Sequence, residues 1–296
     1  MQRAGSDLVR INVLGLVEVT RDGNVVHLAE RQRTLLAALA LDYGKVVPVD
    51  QLIDILWTGA PPATARTKLQ AHVSALRQAM GQPIRDERGP LVTYAAGYML
   101  SGDAAGLDLA EFDSTMQRAR SIHESGHPAV GSDLFASALA LWRGPPFADV
   151  TAPAIRAAAA PLEERRVLAV EAKAEADLSI GRCGAVAAEL PPWLFRLPLR
   201  ERLRGLLMIA LYRLGCRAEA LNLYREGRRI MTRELGLEPG AQLRALHRHI
   251  LADTGAMRPL AAPRRTVRVP AEAGRQGRIR EVAASSEAAR WPGRAV

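Results

Sequence analysis

The sequence predicts a mainly α protein in which a small antiparallel β-sheet precedes a long run of helices. Composition is the first observation: 48% of the 296 residues are hydrophobic but only 4% are aromatic, which favours helices packed through small residues over an all-β protein. Strand-like segments near the N-terminus are the second, and the helical pattern that persists after Gly106 is the third. The length suggests two domains. We predict them at residues 1–101 and 106–257, followed by a basic disordered tail over 258–296.

The first hundred residues contain strand and helix signals in a definite order. Residues 8–19 alternate and are rich in β-branched side chains, 21–24 (RDGN) form a hairpin turn, and 25–28 return as a second strand. Three helices are predicted next, over residues 30–41, 50–57 and 61–80. A hairpin over 91–100 closes the segment. This is the order of a winged helix-turn-helix, with the third helix as the recognition helix and the hairpin as the wing.

The predicted recognition helix carries no carboxylate. Between Asp54 and Asp86 the chain has no acidic residue, although the whole protein has 31. One side of this helix is an apolar stripe, and the other side can donate hydrogen bonds without repelling phosphate, which favours contact with DNA. The residues that we expect to contact DNA from this helix are Arg66, Thr67, Lys68, Gln70, His72, Ser74 and Arg77. For His72, which lies beside the apolar stripe, a packed histidine is an equal alternative.

Further candidate DNA contacts lie outside this helix. Arg33 is in the first turn of the first helix, where backbone N–H groups and an arginine can hold a phosphate, although a plain surface arginine is the alternative. Arg85 and Arg88 precede the wing and could reach the DNA backbone or the minor groove, and Thr93 lies on the wing itself.

After Gly106 the pattern predicts an all-helical, tetratricopeptide-like domain. Gly181 and Gly215 are 34 residues apart, and each ends one helix and precedes another. Gly126 begins a similar pattern, and ordinary antiparallel helices with glycine caps are the alternative. The pair Pro191-Pro192 predicts that one helix of this domain is shortened or kinked, since prolines break a regular helix.

Charge and cysteine content limit the functional classes. The net charge is +9, but residues 258–296 hold 9 basic and 3 acidic groups, so most of the excess belongs to the tail and is no argument for DNA binding by the body. The two cysteines form no disulfide framework or zinc quartet, which is typical of a reducing cytosol. No apolar segment approaches the length that spans a membrane. We therefore expect a cytoplasmic, nucleoid-associated protein without a membrane partner.

No catalytic or cofactor motif is present. The sequence contains no GxSxG, HExxH or CxxC, and no GxxxxGK[ST] for a nucleotide. Four glutamates, Glu163, Glu164, Glu171 and Glu175, are interpreted as solvated ion pairs because they lie among basic residues on a helix. We therefore expect neither an enzyme nor a bound cofactor.

Several strings resemble one family. The segments 56–57 (LW) and 61–66 (PPATAR) with 73–77 (VSALR) resemble the DNA-binding helix of the Streptomyces antibiotic regulatory proteins. The segments 139–145 (LALWRGP) and 234–240 (ELGLEPG) resemble the family's bacterial transcriptional activator domain. The resemblance covers roughly residues 8 to 254, and the chain resembles the small, ATP-independent type.

This resemblance implies an OmpR-type winged helix and a DNA-binding activator of secondary-metabolite genes. It further implies that the protein binds double-stranded promoter DNA at direct repeats, where two copies could form a homodimer, and that it contacts the RNA polymerase holoenzyme. The alternative is a helical-repeat interaction scaffold whose winged helix binds protein. The recognition helix favours DNA, because a protein-binding helix has no need to exclude carboxylates.

Overall fold

The computed structural model describes residues 9–82, 89–101 and 106–252, and the description below concerns these residues. They belong to one compact unit over residues 1–260. The predicted tail, 258–296, lies outside the described residues. The architecture is mainly α, as the sequence predicts, with two small sheets in the first part of the chain.

The described residues contain seven short strands: β1 (Val9–Asn12), β2 (Glu18–Arg21), β3 (Asn24–Val26), β4 (Val47–Pro48), β5 (Leu91–Tyr94), β6 (Gly97–Leu100) and β7 (Gly106–Leu107). The N-terminal sheet has the order β3-β2-β1-β7, with β7 parallel to β1 and the other pairs antiparallel. The wing sheet has the order β4-β6-β5 and is antiparallel.

The prediction of one strand over residues 8–19 is wrong, because the chain breaks into β1 and β2 there. The backbone between these strands is hydrogen-bonded to side chains of the helical part of the chain. The N–H of Val13 lies 2.8 Å from one carboxylate oxygen of Asp108, and the N–H of Val17 lies 2.9 Å from Asp149. A backbone whose donors point at side chains cannot also pair along a strand.

The described residues also contain ten helices, of which the first three lie between β3 and β5 and the others come after β7. They are α1 (Glu30–Leu41), α2 (Val49–Trp57), α3 (Ala65–Ala79), α4 (Asp108–Glu124), α5 (Pro128–Ala140), α6 (Pro153–Ser179), α7 (Cys183–Arg196), α8 (Glu201–Arg213), α9 (Arg217–Leu235) and α10 (Ala241–Ala252). The prediction for α1 is confirmed, and α2 begins one residue early. The predicted start of α3 at residue 61 is wrong by four residues, because a residue that precedes a proline disfavours helical backbone. Pro61 and Pro62 instead lead into a turn closed by the N–H of Ala65 on the Pro62 carbonyl, 2.8 Å.

The wing is the predicted hairpin and is held against the start of α2. Strands β5 and β6 pair in register from Leu91 with Leu100 to Tyr94 with Gly97. A Cβ on Gly97 would lie 1.9 Å from the carbonyl oxygen of Val47, so only glycine permits β6 to approach β4 this closely. The wing is thereby joined to the strand that leads into the helix-turn-helix.

The second part of the chain consists of three helical hairpins and a final helix. The hairpins are α4 with α5, α6 with α7, and α8 with α9, while α10 packs against α8 and α9. Their turns contain Gly126, Gly181 and Gly215, whose φ angles are +89°, +80° and +81°. These left-handed positions favour glycine at the end of a helix. The tetratricopeptide-like prediction for the fold is confirmed.

The paired prolines do not shorten α7. The helix continues through Pro191 and Pro192 to Arg196, although neither proline can donate to a carbonyl of the preceding turn. Leu190 and Leu194, one turn apart, are both buried in the core of the domain. Packing on both sides of the prolines holds the helix together, so the shortening alternative of the prediction is wrong, while the kink alternative stays a prediction.

One of the four glutamates is also not solvated. Glu171 is 2% exposed, and its Oε1 lies 2.7 Å from Nε of Arg200. The burial arises because α6 packs against α8, and sequence neighbours on α6 alone gave no sign of this. Glu164, which contacts the same arginine at 2.7 Å, is half exposed, as predicted for a surface ion pair.

The two parts of the chain share a hydrophobic core. One cluster of buried side chains runs from β1 and α1 through Leu69 and Leu76 of α3 to Phe112, Phe135 and Ile155 of the helical domain. A second cluster fills the space between the later half of α6 and α10. Among the described helices, none combines the length and apolar character needed to cross a membrane.

Candidate nucleic-acid interface

Helix α3 exposes one polar face. Ala65, Leu69, Val73 and Leu76 are buried and attach the helix to the core. The predicted contact residues that are exposed on the opposite face are Arg66, Thr67, Lys68, Gln70 and Ser74. The helix contains no aspartate or glutamate, so this face offers cations and neutral donors only.

Arg66 is paired with a carboxylate of the preceding helix. Its Nη2 lies 2.7 Å from Oδ1 of Asp50, and the two side chains are 71% and 80% exposed. Such an exposed ion pair contributes about 0–1 kcal/mol, so a phosphate or a guanine could replace Asp50 at small cost. Asp50 lies just outside the carboxylate-free segment of the sequence, which is why sequence patterning alone misses it.

Arg77 binds the wing. Its Nε and Nη2 donate to the carbonyl oxygen of Leu91 at 3.2 and 3.0 Å, and Nη2 also donates to Oγ1 of Thr93 at 2.6 Å. The structure therefore brings Arg77 and Thr93 together, as parts of a link between α3 and β5. In this arrangement the guanidinium of Arg77 is engaged by β5 of the wing and is not fully extended toward solvent.

His72 is half-buried beside Trp57. The two ring centroids are 6.5 Å apart, and the guanidinium of Arg31 lies 5.2 Å from the centroid of the Trp57 ring. Burial lowers the pKa of His72 below its ordinary value, and the nearby charges of Arg31 and Lys68 lower it further. A neutral, partly packed imidazole at the edge of the polar face fits the packing alternative better than a phosphate contact.

Arg33 is engaged within the protein. Its Nε lies 3.0 Å from Oδ2 of Asp149, and its Nη1 donates to the carbonyl of Leu28 at 3.1 Å. Asp149 belongs to the segment between α5 and α6, so Arg33 connects the winged helix to the helical domain. We leave Arg33 out of the proposed interface for this reason. Arg85 and Arg88 lie outside the described residues.

The helical domain also holds the N-terminal sheet through Asp108. This carboxylate is almost fully buried, accepts hydrogen bonds from the N–H groups of Val13 and Leu14 at 2.8 and 2.9 Å, and lies 3.3 Å from Arg143. Burial raises the pKa of Asp108, while the two N–H groups and Arg143 oppose that rise. A loop of the N-terminal sheet is thus anchored on the first turn of α4.

Gln82 is a residue of this region that sequence reasoning missed. It follows α3, is 6% exposed, and its amide bonds the backbone of Leu91. A lone glutamine after a helix carries no local signal. The one available hint is Gly81 just before it, since glycine after a helix marks a defined chain reversal.

An exposed, carboxylate-free helix within a winged helix-turn-helix, attached to a helical-repeat domain, defines the class of winged-helix transcription regulators. The family models agree. Residues 23–100 match the model described as "Transcriptional regulatory protein, C terminal", and residues 107–251 match the "Bacterial transcriptional activator domain".

Known relatives extend over both parts. Regulatory protein DnrI of Streptomyces peucetius is 36% identical over 255 residues, which cover 83% of this chain and 94% of that protein. Transcriptional regulator RedD of Streptomyces coelicolor is 35% identical, with 89% of this chain and 76% of the relative covered. Regulatory protein AfsR of Streptomyces coelicolor is 37% identical over 87% of this chain, which spans only 26% of that longer protein.

A solved structure shows the same architecture. The structure of Mycobacterium tuberculosis EmbR in complex with a low affinity phosphopeptide superposes with a TM-score of 0.79 at 34% identity, covering 83% of this chain and 66% of that one. The chain belongs to the Streptomyces antibiotic regulatory protein family, which is a family of DNA-binding transcription activators.

Proposed function

We propose that this protein is a sequence-specific DNA-binding transcriptional activator of antibiotic or other secondary-metabolite biosynthesis genes. The observation that carries the proposal is the exposed face of α3, which has two cationic residues, Arg66 and Lys68, and no carboxylate. A face that excludes negative charge suits phosphates and base edges. Family membership supports the same function, because relatives named above are regulatory proteins.

In the proposed complex α3 lies in the major groove of promoter DNA. Arg66 and Lys68 contact guanine or phosphate, Gln70 suits adenine, and Thr67 and Ser74 donate to the backbone. The wing, with Thr93 near its exposed end, lies against the adjacent backbone. Arg85 and Arg88 precede the wing in sequence, and we propose backbone or minor-groove contacts for both.

We propose that the helical domain binds a partner other than DNA. We propose that the protein binds direct repeats, with a homodimer as one arrangement, and that it contacts the RNA polymerase holoenzyme. The proposed domain boundaries are residues 1–101 for the winged helix and 106–257 for the activator domain, with 258–296 as a basic tail. The proposed location is the cytoplasm, on the nucleoid, and no cofactor is required.

A mobility-shift experiment with fragments of genomic DNA tests the proposal. The full chain should shift a small set of fragments in the presence of excess random competitor DNA. Its affinity for these fragments should fall steeply as the salt concentration rises. The retained fragments should contain repeated half-sites. Equal binding to all fragments would reject sequence-specific recognition of DNA, and binding to none would favour the alternative in which the winged helix binds protein.

A further inference from the structure

The end of α3 places one residue in a defined position. Gly81 has a φ of +69°, its N–H donates to the carbonyl of Gln78 at 3.0 Å, and the N–H of Gln82 donates to the carbonyl of Arg77 at 2.8 Å. These two bonds around a left-handed glycine form a Schellman motif. The motif fixes where Gln82 leaves the helix, so the side chain of Gln82 has a set relation to the α3 face.

The side chain of Gln82 is paired with the backbone of the wing. Its Nε2 donates to the carbonyl oxygen of Leu91 at 3.1 Å, and its Oε1 accepts from the N–H of Leu91 at 3.0 Å. The amide therefore occupies both backbone groups of Leu91, as a neighbouring strand would. Gly89 permits this approach, because a Cβ there would lie 2.1 Å from Cδ of Gln82.

Arg77 strengthens the same junction. Two N–H groups of Arg77 and one of Gln82 converge on the carbonyl oxygen of Leu91, and Arg77 also reaches Thr93. Leu91 is fully buried and begins β5, whose register with β6 defines the wing. Any rotation of the wing relative to α3 must break several of these bonds, and the charge-assisted ones are the stronger.

We propose that Gln82 is a positioning residue for DNA recognition. It holds the wing at one distance and angle from α3, so that the helix and the wing engage the duplex as a single rigid unit. The inference rests on the proposed DNA-binding function and adds that the ligand is a duplex with two contact patches at a fixed spacing. Because the helix and the wing are ordered before binding, less conformational entropy is lost when they contact the duplex. The same rigidity means that binding tolerates little change in the distance between the two contact patches.

The test compares two DNA probes with the full chain. The first is a fragment retained by the wild-type protein, on which hydroxyl-radical footprinting locates the α3 patch and the wing patch. The second carries one extra base pair between the patches. The measured quantity is the ratio of the affinity for the first probe to the affinity for the second. For the wild type this ratio should be about ten. Gln82→Met should bind the first probe more weakly than the wild type does, but its ratio should be less than about three. An equal ratio for both proteins would overturn the inference.

Two further variants keep the outcome decisive. Gln117→Met, on the exposed surface of α4, should behave as the wild type on both probes. Gln82→Glu still accepts from the N–H of Leu91 but cannot donate to its carbonyl, and should give an intermediate ratio. If Gln82→Met fails to fold in a thermal melt, the Gln82→Glu ratio decides, and a wild-type ratio would overturn the inference.

Failure of the two proposals can be told apart. If the wild type protects no fragment, the proposed function fails and this inference fails with it. If the wild type gives two protected patches and the Gln82 variants keep the wild-type ratio, DNA binding stands and only the positioning role is lost.

Discussion

Arg66 of α3 and Asp50 of α2 form an ion pair of 2.7 Å across the turn of the helix-turn-helix. Asp50 is the carboxylate that accompanies the polar face of α3, which has none of its own. The pair holds Arg66 in one direction before DNA arrives, and it also places a negative charge close to where phosphates are expected. These two effects oppose each other, and because so exposed an ion pair contributes only about 0–1 kcal/mol, we expect the repulsion of phosphate to be the larger effect.

Asp50→Asn should strengthen binding to specific and to random DNA alike, by about two- to fivefold, because it removes repulsion without adding a base contact. Fluorescence anisotropy with both kinds of DNA at one salt concentration measures the change. A matched control is Asp133→Asn, which removes an exposed carboxylate that pairs with Arg182 in the helical domain. Selective loss of specific binding would show instead that Asp50 is needed to orient Arg66.

Arg33→Ala should lower the stability of the protein and leave the salt dependence of DNA binding unchanged. Arg33 is paired with Asp149, so its loss should lower the free energy of unfolding. Each kcal/mol of that loss should lower the melting temperature by about 2–4 °C. A residue that binds phosphate would instead reduce the slope of log K against log salt by about one. A reduced slope with an unchanged melting temperature would restore Arg33 to the interface.

The pKa of His72 should lie below that of an ordinary histidine. Because the folded state holds His72 neutral, the unfolded state binds the proton more readily. The free energy of unfolding should therefore be unaffected above about pH 6.5 and should fall as the pH drops below it, and His72→Gln should remove this part of the fall. An NMR titration of the imidazole gives the pKa directly. A value at or above the ordinary one would contradict the packing described for His72 and Trp57.

Deletion of residues 258–296 should weaken binding to random and specific DNA by similar factors. This segment holds 9 basic and 3 acidic groups, and basic segments bind phosphates through counterion release without reading sequence. The deletion should also flatten the salt dependence and leave the helix content in circular dichroism nearly unchanged. Loss of specific binding alone, or unfolding of the activator domain, would mean that the tail has a structural role.

Local sequence patterns predict the elements but not the long-range polar links. Helix α1 was predictable because an apolar run fills its later turns, and in the structure Gln32 also accepts from the N–H of Ala29 at 2.8 Å. The buried and exposed faces of α3 follow from the spacing of Leu69, Val73 and Leu76.

The roles of Arg33 and Arg77 could not be predicted in the same way. Their partners, Asp149 for Arg33 and Leu91 for Arg77, lie on other elements, and only the folded chain brings them together. The break between β1 and β2 has the same origin, because the backbone of Val13 is bonded to Asp108. An arginine in a promising position is therefore a candidate for DNA contact until its partners in the fold are known.

The most direct test of the central claim is the affinity of Arg66→Ala for a promoter fragment that the wild type retains. Arg118→Ala, an exposed arginine of α4, is the matched control for the loss of one positive charge. We predict that Arg66→Ala loses about 1–3 kcal/mol of specific binding and far less on random DNA, while Arg118→Ala binds as the wild type. Wild-type affinity of a folded Arg66→Ala variant for the promoter fragment would contradict the assignment of α3 as the recognition helix.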